Sequence, residues 1–544
     1  MKTQAIAPTT AVETSTFNQQ PKGQTQMNRL SSLMGQLVGM RHARTITLGF
    51  VLLACANSFA QWPQFRQNST NTGNNTFESI ISTKNVSTLA VNWTFPLTVA
   101  PGINATNTSP VVSGYLSYFQ SVSYVFVVDS NNLYALPLAC TGAGCTQSPP
   151  VNTPAWTFPY QTNMAGCPSS PAVGYVLLGN NIFGFDVASP VVYFNDACNA
   201  NLYAVNAQTG QMIWSQPTLY SFTNAQIAAS PTIGDNGTIY LAGDYVYAFD
   251  GKTGNPLNSW MGGRNGTTPG LSVSEVGAGT SSSALGNLQQ LHYGDTLFVG
   301  GTNGFFAIDT ANGSTRTGWP ISQYGLVQNS SPSAPESGCL YWDCYPTTLS
   351  LVAGTSNVQT SKGEIVSFNP QTGTPAAWQY SDTTNPTFNS SPAMATEVIN
   401  GQPQQLAYVA SMYAWSFSVG HKIFSGQGGY LTALDATDGN PFWQSVGLAP
   451  IGFSSPAVAN GVVFVADLGG GQTNGQIYAF DAKGISDGNG QGCQILSGRS
   501  CTPLWSYDLG YNGLSPNFDL IGSPAVANGM VFETAGPMLY AFGL

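Results

Sequence analysis

Short apolar runs alternating with polar residues recur from about residue 90 to the C-terminus, as in Gly461-Val-Val-Phe-Val-Ala-Asp467. A period of two is that of a β-strand with one buried face. The runs are brief and are punctuated by Gly and Pro, 61 and 34 of them spread along the chain. Many short strands joined by turns are therefore expected, in an all-β fold.

The runs also repeat as a group, which a search for internal periodicity brings out. Each unit opens with Ser-Pro and an apolar run, passes through a β-rich pair of segments and ends on a Trp. One copy is Ser189-Pro-Val-Val-Tyr-Phe followed by Asn201-Leu-Tyr-Ala204-Val-Asn206-Ala-Gln-Thr209-Gly210-Gln-Met-Ile-Trp214. A second is Ser391-Pro-Ala-Met, then Ala433, Asp435, Gly439 and Trp443 at the same spacing. Looser copies end at Trp156, Trp260, Trp319, Trp378 and Trp505. The last copy, through Ala541, stops before its Trp, and the missing piece stands at the other end as Leu89-Ala-Val-Asn-Trp93-Thr-Phe-Pro96.

Seven complete copies, one truncated copy and one orphan strand predict an eight-bladed β-propeller of four-stranded antiparallel blades. The N-terminal strand would close the ring, so that no sheet edge stays open. In each blade the small Ala is expected to receive the Trp ring, and Thr-Gly or Asp-Gly to turn the chain between the third and fourth strands. Such a closed ring is expected to be monomeric.

Composition places the chain outside the cytoplasm. Only 7% of residues are charged against 42% hydrophobic, and residues 61–544 keep 9 of the 14 basic and 23 of the 24 acidic side chains, a net charge near −14. Cations this sparse do not make a phosphate-binding surface, which argues against nucleic acid. The apolar run Thr45–Ala54, preceded by Arg41 and Arg44 and followed by Ser58-Phe59-Ala60, has the layout of a secretory signal and is too short to cross a bilayer. Residues 1–60 are read as a signal peptide with an extended basic region, cleaved after Ala60. A competing reading takes Leu52-Leu53-Ala54-Cys55 as a lipobox, with Cys55 lipidated.

The remaining eight cysteines suit an oxidising compartment. Cys140/Cys145, Cys339/Cys344 and Cys493/Cys501 are close in sequence, leaving Cys167 and Cys198. Spacing alone does not fix their pairing, and metal ligation is the other reading. No histidine lies near a cysteine pair and no Cys-x-x-Cys-His is present, so neither zinc nor c-type haem is expected. Asp487-Gly-Asn489-Gly-Gln491 has the look of a calcium loop but lacks its closing Glu.

Ala204 to Trp214 resembles the tryptophan-docking repeat of the pyrroloquinoline-quinone (PQQ) propeller family, and Gln61-Trp-Pro-Gln-Phe-Arg66 through Gly73 is similar to the opening that precedes its first blade. The resemblance covers residues 61–544. It implies either a quinoprotein alcohol dehydrogenase, holding PQQ and calcium over the central channel, or a non-catalytic relative such as the outer-membrane assembly lipoproteins. The enzymes place a vicinal Cys-Cys disulfide against the cofactor, and this sequence has no adjacent cysteines. No catalytic residue can be carried over by motif, so a non-catalytic binding role is the leading expectation, with a protein or polysaccharide of the cell envelope as partner.

Two long loops are expected on the face that quinoproteins use: Met261–Thr280, carrying Arg264 and Glu275, and Ala410–Gly429, carrying Trp415, His421 and Lys422. Together they offer a site for an anionic or carbohydrate-like ligand. Cys339–Cys344 should display aromatics on the opposite face.

Overall fold

The computed structural model describes residues 61–544 apart from 99–107, 118–119, 142–151, 161–166, 181–185, 219–228, 278–280, 287–294, 324–329, 335–338, 341–342, 345–350, 358–361, 371, 374, 382–386, 420–421, 471–472, 494–497 and 512–520. The signal and lipobox readings lie outside the described residues. Among those described, no helix is long and apolar enough to cross a membrane.

Alternating burial along each run folds the chain into eight antiparallel sheets placed around a ring. Blade 1 is Val111–Ser117, Gln120–Val128, Asn132–Thr141 and Trp156–Pro159; blade 2 is Ala172–Asn180, Asp186–Asp196, Asn201–Asn206 and Met212–Pro217. Blades 3 to 5 are three-stranded: Thr232–Ile233, Thr238–Ala242 and Val246–Asp250; Ala284–Gly286, Thr296–Gly301 and Gly304–Asp309; Leu351–Asn357, Lys362–Phe368 and Pro375–Tyr380. Blade 6 is Ala393–Ile399, Gln402–Val419, Lys422–Asp435 and Pro441–Gln444, and blade 7 runs from Ala457–Ala459 to Trp505–Asp508. Blade 8 joins Ala525–Ala527, Met530–Ala535 and Met538–Gly543 to Ala90–Pro96, with Trp93 opposite Ala541. The N-terminal strand thus closes the ring, as expected.

Two expectations change. Ser189-Pro190 lies in the second strand of blade 2, and the Ser-Pro that opens this blade is Ser170-Pro171. The Trp rings also dock differently. Trp156, Trp214, Trp443 and Trp505 sit opposite their own blade's Ala but reach across to the following blade. Trp156 donates to Ala207 O, Trp214 to Gly251 O, Trp378 to Ala436 O and Trp443 to Ala482 O, at 2.9–3.0 Å. The ring lies over the turn glycine there: a Cβ added at Gly210 would be 2.7 Å from Trp156, and one at Gly439 2.5 Å from Trp378. The motif glycine therefore has two reasons, a positive φ and a ring where a side chain would stand. Trp505 docks on Leu89 O, in the segment leading to the closing strand.

Ser-Pro has its own use. Ser109, Ser170, Ser230, Ser282, Ser331, Ser391, Ser455 and Ser523 stand at the start of the eight innermost strands. The backbone N–H of one donates to the hydroxyl of the next at 2.8–2.9 Å in seven of the eight links, and Ser523 donates to Ser109 to complete the circle.

Three residues further along each innermost strand, residues 61–75 form a second circle inside the first. Trp62 pairs with Val112, then Pro63 with Val173, Gln64 with Ile233, Ser69 with Leu285, Thr70 with Ala334, Thr72 with Met394, Gly73 with Val458 and Asn75 with Val526. The Asn75 amide also donates to Gln61 O at 3.1 Å, joining the ends of the segment. Arg66 is buried there, its guanidinium donating to Pro392 O and Pro456 O and lying over Gly73. Burial lowers its pKa to about 9. The family-like opening of the sequence is therefore a filling of the central channel.

Candidate functional site

The serine girdle defines an upper face. The turns between second and third strands and the loops between blades open onto it, while the remaining turns face the other way. On the upper face Asp129, Asp196 and Asp467 each accept from the loop arriving from the previous blade, at Thr98, Cys167 and Ala449. These buried carboxylates hold loops in place and are fully used by them.

A polar group stands at the rim of blade 3. Its turn supplies Asp244 and Tyr245, and the chain leaving the blade returns beneath them, Val276 and Gly277 donating to Asp244 O at 2.7 and 3.0 Å. That return brings Glu275 beside the turn. The Glu275 carboxylate and the Arg264 guanidinium both act on the Tyr245 hydroxyl. Burial and the Glu275 charge raise the Asp244 pKa; burial and Glu275 raise that of Tyr245 while Arg264 lowers it. Asn303 of blade 4 donates to Glu275 O at 3.2 Å. Arg264 sits in an excursion of the chain whose short strands Met261–Gly262 and Thr268–Pro269 pair with each other. Met261 and Val273, 45% and 51% exposed, flank this group with apolar surface.

Arg264 and Glu275 are thus brought together; Trp415 and Lys422 lie elsewhere. The segment expected as a loop at 410–429 is a continuous hairpin, with Gln402–Val419 paired to Lys422–Asp435 throughout. Neighbouring loops pair with it only as far as Met412 and Gly429, so its outer part extends alone for roughly 20 Å at strand rise. Trp415 is in register with Gly426 and Lys422 with Val419; His421 lies outside the described residues. Tyr413 stacks on Tyr430 at 5.3 Å, at the hairpin's root. Blade 6 is three blades from blade 3, so the four described residues belong to two places on one face. Sequence reading missed Asp244 and Tyr245, whose only signal was their position in a second-to-third-strand turn.

Cys167–Cys198, between blades 1 and 2 on the upper face, and Cys493–Cys501, on the lower face, are disulfides. Cys339 and Cys344 are opposite each other in a short hairpin; Cys145 lies outside the described residues. The calcium-like loop is closed by an arginine. Asp487 accepts from Asn489 N–H and Gln491 N–H at 3.0 Å and from Arg499 at 2.8 Å, so an arginine occupies the place of a metal.

A PQQ-repeat profile described as "Outer membrane protein assembly factor BamB" matches residues 184–329. No curated protein sequence matches the chain. Among solved structures, a europium-containing methanol dehydrogenase is similar at TM-score 0.54 and 15% identity, covering 91% of this chain and 100% of that one. Quinohemoprotein alcohol dehydrogenases from Comamonas testosteroni and Pseudomonas putida HK5 match at 0.52 and 0.54, both at 14% identity, covering 91% of this chain and 82% and 81% of theirs. With the docking repeat in its sequence and this ring as its fold, the chain is an eight-bladed β-propeller that resembles the PQQ-repeat propellers and matches their repeat profile over residues 184–329.

Proposed function

We propose that this is a non-catalytic extracytoplasmic propeller that binds a protein or polysaccharide of the cell envelope through its upper face. The observation that carries the reading is the use made of the preserved residues. Girdle serines, docking Trp and Gly, and Arg66 are used in packing and bonds that hold the ring, and residues 61–75 fill the channel. What remains for recognition is the loop surface. Arg264, Tyr245 and Glu275 offer a cation, a ring with a hydroxyl and an acceptor side by side, a set suited to sugar hydroxyls or a polar peptide. The two disulfides support a place outside the cytoplasm.

The PQQ and calcium implied by the family find a poor match among the described residues. No group of three or more His, Cys, Asp or Glu stands together. Arg264 is the one cation among the described side chains of the upper face, against the three carboxylates of the quinone. No adjacent cysteines exist in the sequence to cover it.

A second reading, a divergent quinoprotein alcohol dehydrogenase, is favoured by the extent of the fold match, 91% of this chain on the enzymes. Calorimetric titration with envelope polysaccharide and envelope-protein extracts separates the two. Binding weakened about tenfold by Arg264→Ala with Glu275→Ala, a loss typical of one contact hot spot, is the expected result. Binding indifferent to these changes and to shortening the blade 6 hairpin would remove the upper face from the proposal.

A further inference from the structure

The strand registers make residues of different blades strictly comparable. Second-strand residues opposite the motif Ala or Ser are Phe126, Tyr193, Tyr240, Phe298, Val352, Tyr408, Phe464 and Phe532. The next residue is Val127, Phe194, Leu241, Val299, Ala353, Val409 or Val465 in blades 1 to 7, each buried in the apolar packing against the preceding blade. In blade 8 it is Glu533, with 0% exposure.

The carboxyl has little to hold it. Oε1 accepts from Thr534 N–H at 3.1 Å, and Oε2 has no partner among the described residues. Burial pushes its pKa well above the ordinary value, and only the Thr534 N–H opposes this. The acidic groups nearest in the fold are committed elsewhere. Asp467 of blade 7 accepts from Gly469, Gln476, Ala449 and Tyr478, and Asp508 from Asn474 and Gly510. Glu78 accepts from Ile80 and Gly529. Tyr540, opposite Glu533 in register, donates its hydroxyl to Leu509 O. Among the described residues no cation acts on Glu533.

We propose that Glu533 makes the seam between blades 7 and 8 pH-sensitive: the ring is tight while this carboxyl is protonated and loosens at its closing blade when the carboxyl ionises. An apolar residue serves the packing at all seven other positions, so the carboxyl adds nothing there except a proton that can leave. Blade 8 is also the blade assembled from both ends of the chain, where loosening one seam exposes the Ala90–Pro96 closure. The folded pKa lies above the unfolded one. The stability tied to the neutral carboxyl is complete below the unfolded value, near 4.3, and is lost as pH rises toward the folded value.

Thermal unfolding from about pH 4 to pH 9 tests this in wild type, Glu533→Gln, which keeps the shape of the neutral carboxyl, and Glu533→Val, which restores the residue of blades 1, 4, 6 and 7. The three should melt close together at the acid end. With each pH unit the wild type should lose about tenfold in its folded-to-unfolded ratio relative to Glu533→Gln, until the folded pKa is passed. Hydrogen exchange should quicken first in Met530–Gly543. An offset among the proteins that does not change with pH would overturn the proposal. So would a wild type that gains on Glu533→Gln with rising pH and loses that gain on chelation, the mark of an ionised carboxylate paired with a metal ion. If Glu533→Val fails to fold, Glu533→Gln alone decides.

Discussion

A glycine with positive φ beneath a tryptophan is the joint between one blade and the next. At Gly439, φ is +74° and the Trp378 ring stands where a Cβ would go. Gly439→Ala should therefore destabilise by about 2–3 kcal/mol, the sum of a left-handed backbone and an overpacked contact, read by denaturant unfolding. Removing a docking ring at the next joint, as Trp443→Ala, should cost about 3–5 kcal/mol, since a fully buried indole and its bond to Ala482 O are lost together. The motif was legible in the sequence, but its direction was not. Ala-to-Trp spacing is a distance along one blade and carries no record of the neighbour, so the contact was expected within the blade. Glu533 was legible too, as a charge inside Val531-Phe532-Glu533-Thr534, but only once the registers align it with seven apolar residues.

Among elements, the strands and their number followed from alternation and the recurring Trp, and the closing strand from the copy that lacks one. Two segments misled. Ser and Gly between Met412 and Gly429 read as a loop, yet Tyr413, Trp415 and Phe417 keep the strand period and the segment is a hairpin. Gln61–Asn75 has no periodicity at all, because it bonds to eight blades in turn, six through its backbone and two through the Gln64 and Asn75 side chains. That arrangement is invisible to a pattern search. The disulfides close loops at sequence separations of 31 and 8. By the chain-entropy relation, Cys167–Cys198 should contribute about 3–4 kcal/mol and Cys493–Cys501 about 2–3 kcal/mol, so unfolding under reducing conditions should shift to lower denaturant by the corresponding amounts.

For the whole molecule, ring and site obey different rules. Closure depends on features repeated eight times, which one sequence displays by its own repetition. Recognition depends on features that occur once, such as Tyr245 beside Glu275, and a single occurrence gives a sequence reader nothing to compare. Arg264 and Glu275 could be proposed because a long loop carried them, but not their separation from the blade 6 hairpin, which only the placement of blades around the ring reveals. The central claim is that this chain keeps a PQQ-like propeller and binds through its loops rather than through a quinone. It is tested most directly by calorimetric titration of the purified protein with PQQ in the presence of calcium, followed by a dye-linked assay with simple alcohols. The account predicts no stoichiometric uptake and no dye reduction; one-to-one binding with alcohol-dependent dye reduction would contradict it.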